Sequence, residues 1–219
     1  MIVQFSVANY LSFKEMSTLS LATTNLKETA ISETDSMTEM GGAIPAVLHG
    51  AAIYGANASG KSNFAKAFAT FKWLVINSIK ELQAGDALDV ESFMLNDTTA
   101  KEPSIFEIVF CNVDYIFRYG FEVDGVKVHK EWLYRRNNKK RAKEVELWYR
   151  EGDIYNVHPS CAIAKSVVAN KMVRDNALLV SVAAQFNDET AVSIVDWLND
   201  TSIITSHDDE VMWKRAAIK

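Results

Sequence analysis

Eight consecutive residues, Gly55-Ala56-Asn57-Ala58-Ser59-Gly60-Lys61-Ser62, constrain what this chain can fold into more than any other segment. Ahead of them runs a nearly continuous apolar stretch: Ala46, Val47, Leu48, Ala51, Ala52, Ile53 and Tyr54. Such runs suit a strand buried on both faces, and a strand is predicted over 46–54. Behind them, Phe64, Phe68, Phe71, Val75 and Leu82 recur at helical spacing and share one face, which predicts a helix from Asn63 to Leu82. Strand, glycine loop and helix in that order build an anion cradle. The two glycines allow backbone angles and close approaches that a Cβ obstructs. The loop amides and the first unpaired amides of the helix then point inward, where Lys61 adds a full positive charge. Ser62 supplies a hydroxyl suited to Mg²⁺. The pattern G-x-x-x-x-G-K-S is the Walker A form of a nucleotide-binding P-loop.

The rest of the chain alternates between strand and helix patterning. Val3, Phe5 and Val7 lie on one face of residues 2–8, opposite Gln4 and Ser6, and a second strand is expected near Met16–Ala22, making an N-terminal β-hairpin. Residues 23–43 are polar and lack periodicity, so they read as an excursion between elements. Strands are predicted at Ile105–Phe110, Tyr115–Val123, Lys127–Tyr134, Val145–Tyr149 and Ile154–Val157, with Asp124-Gly125 marking one hairpin. Their texture differs from the strand–loop–helix unit and suggests an inserted or appended antiparallel β-lobe. Ala177–Phe186 and Thr190–Leu198 return to helical spacing. The expected fold is α/β: a P-loop NTPase with an N-terminal β-hairpin, a central antiparallel β-lobe and a helical C-terminal part. The corresponding divisions are a nucleotide-binding core at 1–85, the β-lobe at 86–160 and a helical segment at 161–219.

Composition narrows the function classes. A hydrophobic fraction of 48% and a charged fraction of 23% are those of a globular protein with a sizeable core. The net charge of −5 argues against a wholly basic nucleic-acid-binding surface. Cys111 and Cys161 lack metal-ligand spacing, as do His49, His129, His158 and His207, and the cysteines are expected to be buried thiols. No stretch has the length and apolarity of a membrane span, and the N-terminus lacks a signal-peptide pattern, so the chain is read as cytoplasmic with no membrane partner.

The opening Phe5-x-Val7-x-Asn9-Tyr10-x-Ser12-Phe13, followed by Gly55-x-Asn57-x-Ser59-Gly60-Lys61-Ser62-Asn63, resembles the ABC-type ATPase heads of the RecF and SMC group. It is most similar to bacterial ATP-binding proteins of the AAA_15/AAA_21 type, found among abortive-infection and phage-defence ATPases. The run from Phe106-Glu107-Ile108 through Tyr119-Gly120-Phe121 to Glu131-Trp132-Leu133 resembles the β-lobe of that group. The resemblance implies bound ATP and Mg²⁺, hydrolase activity in the family, and nucleotide-driven pairing of two heads. It also implies a glutamine that senses the metal, and Gln185 is a candidate by position, against the simpler role of a polar residue at a helix end.

Neither an LSGG-like signature nor a clear Walker B strand is found. Ile203-Ile204-Thr205-Ser206-His207-Asp208-Asp209-Glu210 is the nearest candidate for the latter, and its apolar residues are separated from its acids by Thr-Ser-His; a solvated acidic loop is the competing interpretation. The chain is therefore expected to be the N-terminal portion of a longer or split ATPase. It would bind nucleotide with slow turnover and use a second copy or a partner chain to supply the C-terminal half. A non-catalytic regulatory module is the alternative; a compact small-molecule kinase fits poorly with the long β region.

Weaker signals remain open. Residues 135–143 carry six cations in nine positions, a candidate nucleic-acid patch or the exposed tip of a hairpin. Tyr10 and Phe13 could stack on adenine or pack in the core, while Trp132, Trp148 and Trp197 are expected in the core.

Overall fold

The computed structural model describes residues 1–23, 37–40, 42, 44, 46–112 and 114–203. Its centre is a seven-stranded antiparallel sheet ordered β2-β1-β5-β6-β7-β8-β9. These strands are β1 (Ile2–Ala8), β2 (Ser17–Ser20), β5 (Ser104–Cys111), β6 (Tyr115–Val123), β7 (Val128–Asn137), β8 (Val145–Glu151) and β9 (Ile154–Val157). Two short strands, β3 (Met37–Glu39) and β4 (Ala46–Leu48), pair separately. The N-terminal hairpin forms as expected, with Phe5 opposite Leu19. The strands expected in a lobe of their own instead join that hairpin, because β1 also pairs with β5 along most of its length. One sheet thus runs through both regions.

Alternation explains which face of this sheet is covered. Phe106, Ile108 and Phe110 of β5 and Tyr119, Phe121 and Val123 of β6 are buried on the helical side. The helices are α1 (Lys61–Asn77), α2 (Ala162–Ala169), α3 (Leu179–Gln185) and α4 (Glu189–Asp200). Helix α1 buries Ala67, Phe71, Leu74 and Val75. Phe71 is its anchor, stacked on Phe121 at 5.2 Å and edge-on to Phe5 at 5.7 Å. Burying one phenylalanine this completely contributes about 3 kcal/mol.

The opposite face is polar and half-exposed. Arg118 there meets Glu144 at 2.7 Å and Glu107 at 3.3 Å, and lies over the Tyr134 ring. The Glu144 hydrogen bond and the charges of both carboxylates outweigh desolvation, so the guanidinium holds its proton more tightly than usual. Trp132 belongs to this outer face, not to the core, and donates its indole N–H to Glu107. Its ring lies flat across Gly120, where a Cβ would come within 2.6 Å of the indole and of the Phe106 carbonyl. Trp148 is buried and Trp197 stacks on Phe110 at 4.2 Å, as expected of core residues.

Two buried carboxylates secure the helical layer. Glu131 of β7 accepts the amides of Leu179 at 2.6 Å and Val180 at 2.9 Å and the Tyr119 hydroxyl at 3.0 Å, so it caps α3 from a neighbouring strand. Asp188, only 4% exposed, accepts the amide of Ala191 in α4 and that of Ala164 in α2. Sequence patterning read 161–219 as helical but did not single out α2. Its own N-cap is Cys161, which makes no side-chain cap bond, so the capping group comes from Asp188 far along the chain. Cys161 and Cys111 are free and buried, and burial pushes the Cys161 thiol up. Among the described residues no helix is long and apolar enough to cross a membrane.

Candidate functional site

The glycine loop enters α1 as the spacing predicts, but its approach differs. The strand expected over 46–54 is only β4, Ala46–Leu48, whose partner β3 is three residues long. Residues 51–54 form no strand, and Ile53 is 48% and Tyr54 90% exposed. The strand ahead of the loop, β4, pairs with β3 outside the large antiparallel sheet, so the loop does not emerge from a strand of that sheet. The helix starts at Lys61 and ends at Asn77, short of the expected Leu82.

Residues 51–59 are exposed, and a turn begins at Asn57. Ala58 (φ 61°) and Gly60 (φ 91°) are left-handed and Ser59 between them is not. Alternating handedness turns successive amides to one side, the geometry of an anion nest. The amide of Ser59 bonds the Ala56 carbonyl at 3.2 Å. Gly60, the N-cap, accepts from Asn63 and Phe64, while the amides of Lys61 and Ser62 donate to no group among the described residues. No side chain caps the helix, and its first turn holds no acid. The positive end of its dipole is therefore uncompensated.

Lys61 folds back across the loop. Its ammonium donates to the Gly55 carbonyl at 2.7 Å, the Ala56 carbonyl at 2.6 Å and the Ser59 hydroxyl at 3.4 Å. Ser62 is exposed in the first helical turn, and Asn57 is exposed in the loop. A Cβ at Gly55 would meet the Ser59 hydroxyl at 2.7 Å, so this bend is tight as well.

The loop rests on the turn that joins β1 to β2. Ser12 accepts from the Asn63 side-chain amide at 2.9 Å, and Phe13 packs edge-on against Phe64. Tyr10 is buried, with its hydroxyl 2.8 Å from that of Thr70 in α1 and its ring against Phe106, so it packs in the core and is not free to stack on a base. Asn9 uses its whole side chain: it donates to the carbonyls of Thr99, Glu102 and Pro103 and accepts from the Phe93 amide. The polar residues of the Asn9–Phe13 motif thus have physical roles that spacing alone did not reveal. Their signal was the motif itself, which carried a resemblance but no assigned contacts.

The loop, the helix end and the lysine meet the chemical needs of a polyphosphate: inward amides, a positive dipole and an ammonium. The match to a divalent metal is thinner. Ser62 offers one hydroxyl, and Gln185 lies exposed at the C-terminal end of α3. Among the described residues no group of three or more His, Cys, Asp or Glu is placed to hold a metal ion. Asp208, Asp209 and Glu210 lie outside the described residues. Lys139, Lys140, Arg141 and Lys143 are exposed at the β7–β8 connection, while Arg135 stacks on Tyr115 at 4.6 Å.

The family described as "AAA domain, putative AbiEii toxin, Type IV TA system" matches residues 51–147. That segment resembles an AAA_21 domain. The match opens four residues before Gly55, takes in the glycine loop and α1, and ends within β8. The matched segment thus contains every loop residue with the geometry described above, and the matching family is the one that the loop and the N-terminal motif resemble. Ser12, which supports the loop, lies ahead of the matched segment. No curated protein and no solved structure matches the chain.

Proposed function

We propose that this chain carries an AAA-type domain that binds ATP, with the triphosphate held on Gly55–Ser62 and Mg²⁺ at Ser62. The observation that carries the proposal is the uncapped start of α1: left-handed Gly60, two undonated amides and a lysine ammonium beside them. Lys61 leaves its loop carbonyls for the β- and γ-phosphates, exchanging neutral acceptors for anionic ones, so that each bond then joins two opposite charges. Bound Mg²⁺ would neutralise charge between the β- and γ-oxygens. Gln185 remains a proposed second contact to the metal. In equilibrium titrations we expect ATP binding that strengthens with Mg²⁺ and weakens by about a hundredfold in Lys61→Ala, a loss of about 3 kcal/mol of charged hydrogen bonding. Equal affinity in the two proteins would remove Lys61 from the site.

We further propose that the domain acts as an ATP-dependent switch whose site is completed by a second copy or a partner chain. Ala51, Ala52, Ile53 and Tyr54 support this, since four successive exposed residues with apolar bodies precede the loop and their backbone groups make no hydrogen bonds among the described residues. Such a segment is a template for strand pairing. On this proposal the carboxylate that orients water for hydrolysis comes with the partner, and the isolated chain turns ATP over slowly. A defence setting is part of the proposal, supported by the family description, and nucleic-acid binding at 135–143 is a separate proposal. Sedimentation with and without Mg·ATP tests the switch: the expected result is nucleotide-dependent self-association weakened by Tyr54→Ser, and an unchanged monomer would count against a second copy.

A further inference from the structure

We infer that Ser12 and Asn63 form a positioning clamp that sets the conformation of the nucleotide loop from outside it. The inference deepens the ATP-binding proposal and rests on it for its consequence, but its structural content stands alone. Asn63 is the third residue of α1, and its side-chain amide donates to the Ser12 hydroxyl at 2.9 Å. The same hydroxyl lies 2.7 Å from where a Cβ on Gly60 would stand, so turn and loop touch at the residue whose left-handed backbone starts the helix. One serine therefore faces two points of a single helical turn.

The turn that presents Ser12 is itself held on two sides. Asn9 (φ 48°) and Leu11 (φ 47°) are both left-handed, an arrangement that persists only where its surroundings impose it. The surroundings do so here: Asn9 is bonded to four backbone groups between Phe93 and Pro103, and the Leu11 amide donates to the Glu91 carbonyl at 3.0 Å. On the other side, the Tyr10 hydroxyl reaches Thr70 and Phe13 packs on Phe64. The turn is thereby tied to α1 and to the 91–103 segment together. Ser12 is the one member of it whose side chain hydrogen-bonds to the first turn of α1 among the described residues, and the same hydroxyl stands against Gly60 of the glycine loop. Exposed hydrogen bonds contribute little to overall stability, so the consequence of this one falls on loop geometry.

The test uses Ser12→Ala, Asn63→Ala and the double substitution. The first readout is hydrogen exchange of amides 57–64 in the nucleotide-free chain. Faster exchange there in each single substitution, with the midpoint of thermal unfolding unchanged, is expected. The second is ATP affinity in the presence of Mg²⁺. Each single substitution is expected to weaken binding by about tenfold, and the double substitution to be no worse than the weaker single, because both remove the same bond. Unchanged exchange at 57–64, or single effects that simply multiply, overturns the clamp. Failure of the wild-type chain to bind ATP would instead overturn the ATP proposal, and the exchange data would still decide whether Ser12 positions the loop.

Discussion

Replacing Glu131 with alanine is expected to destabilise the fold by about 4 kcal/mol, the sum of several buried donors left without an acceptor. Glu131 is wholly buried and receives the Leu179 and Val180 amides and the Tyr119 hydroxyl. Arg150, also buried, contributes a favourable charge, and its own bonds go to the carbonyls of Gly152, Ala177 and Asp175. Alanine would leave two helix amides and a phenol unpaired and remove a carboxylate that the Arg150 charge favours. Glu131→Gln keeps one acceptor and should cost less. The pH dependence has a definite sign. Burial raises the carboxyl above its usual value, against the lowering influence of Arg150, the two amides and Tyr119. The folded chain then holds this proton more tightly than the unfolded one. Its contribution to stability is full below the unfolded value and declines as pH rises through the folded one. Urea denaturation between acid and neutral pH reads both effects. A loss below about 1 kcal/mol in Glu131→Ala, or the same pH slope in Glu131→Gln as in wild type, would contradict this account.

Glu131 also marks where sequence reasoning stops. Its strand was legible, because Tyr115–Val123 and the neighbouring segments alternate in a way only half-buried strands do. A glutamate at an inward position gives no sign that it caps a helix some fifty residues later, since the partner amides belong to a backbone whose place depends on the finished sheet. The same reason hid α2, whose capping carboxylate is Asp188. Local patterning likewise favoured a separate β-lobe, because β5 lies almost a hundred residues from its partner β1 and nothing in either strand announces the pairing. The run Ala46–Tyr54 misled in the other direction. Its apolar continuity is real, but β3 offers a partner for only three of its residues. The glycine loop was the most legible part of the candidate site, since each of its specified residue types answers a local requirement. The supporting Ser12 was not, because its contact crosses fifty-one positions.

Gly60→Val is expected to reduce ATP affinity by at least about thirtyfold, equivalent to about 2 kcal/mol. Two causes act together. A φ of 91° lies in the left-handed region, where a β-branched residue is an outlier. The new Cβ would also stand 2.7 Å from the Ser12 hydroxyl. Valine must therefore rotate the backbone at the point where α1 begins, turning the Lys61 and Ser62 amides out of register with the loop. Because the loop is exposed and the helix is anchored by Phe71, Leu74 and Val75, the fold should survive. Gly85 provides the control: its φ is 87°, and nothing lies within 4 Å of an added Cβ. Gly85→Val strains the backbone to a similar degree and should leave ATP affinity at the wild-type level. Equal losses in both substitutions would assign the effect to general destabilisation.

In the proposed ATP complex, the amides at the start of α1, together with Lys61, receive the triphosphate. Backbone amide chemical shifts during titration with Mg·ATP test it most directly. The account predicts saturable shifts concentrated at residues 57–62, largest at Gly60, Lys61 and Ser62, and absent in Lys61→Ala. Saturating Mg·ATP that leaves those amides unmoved, or moves only residues elsewhere in the chain, would contradict it.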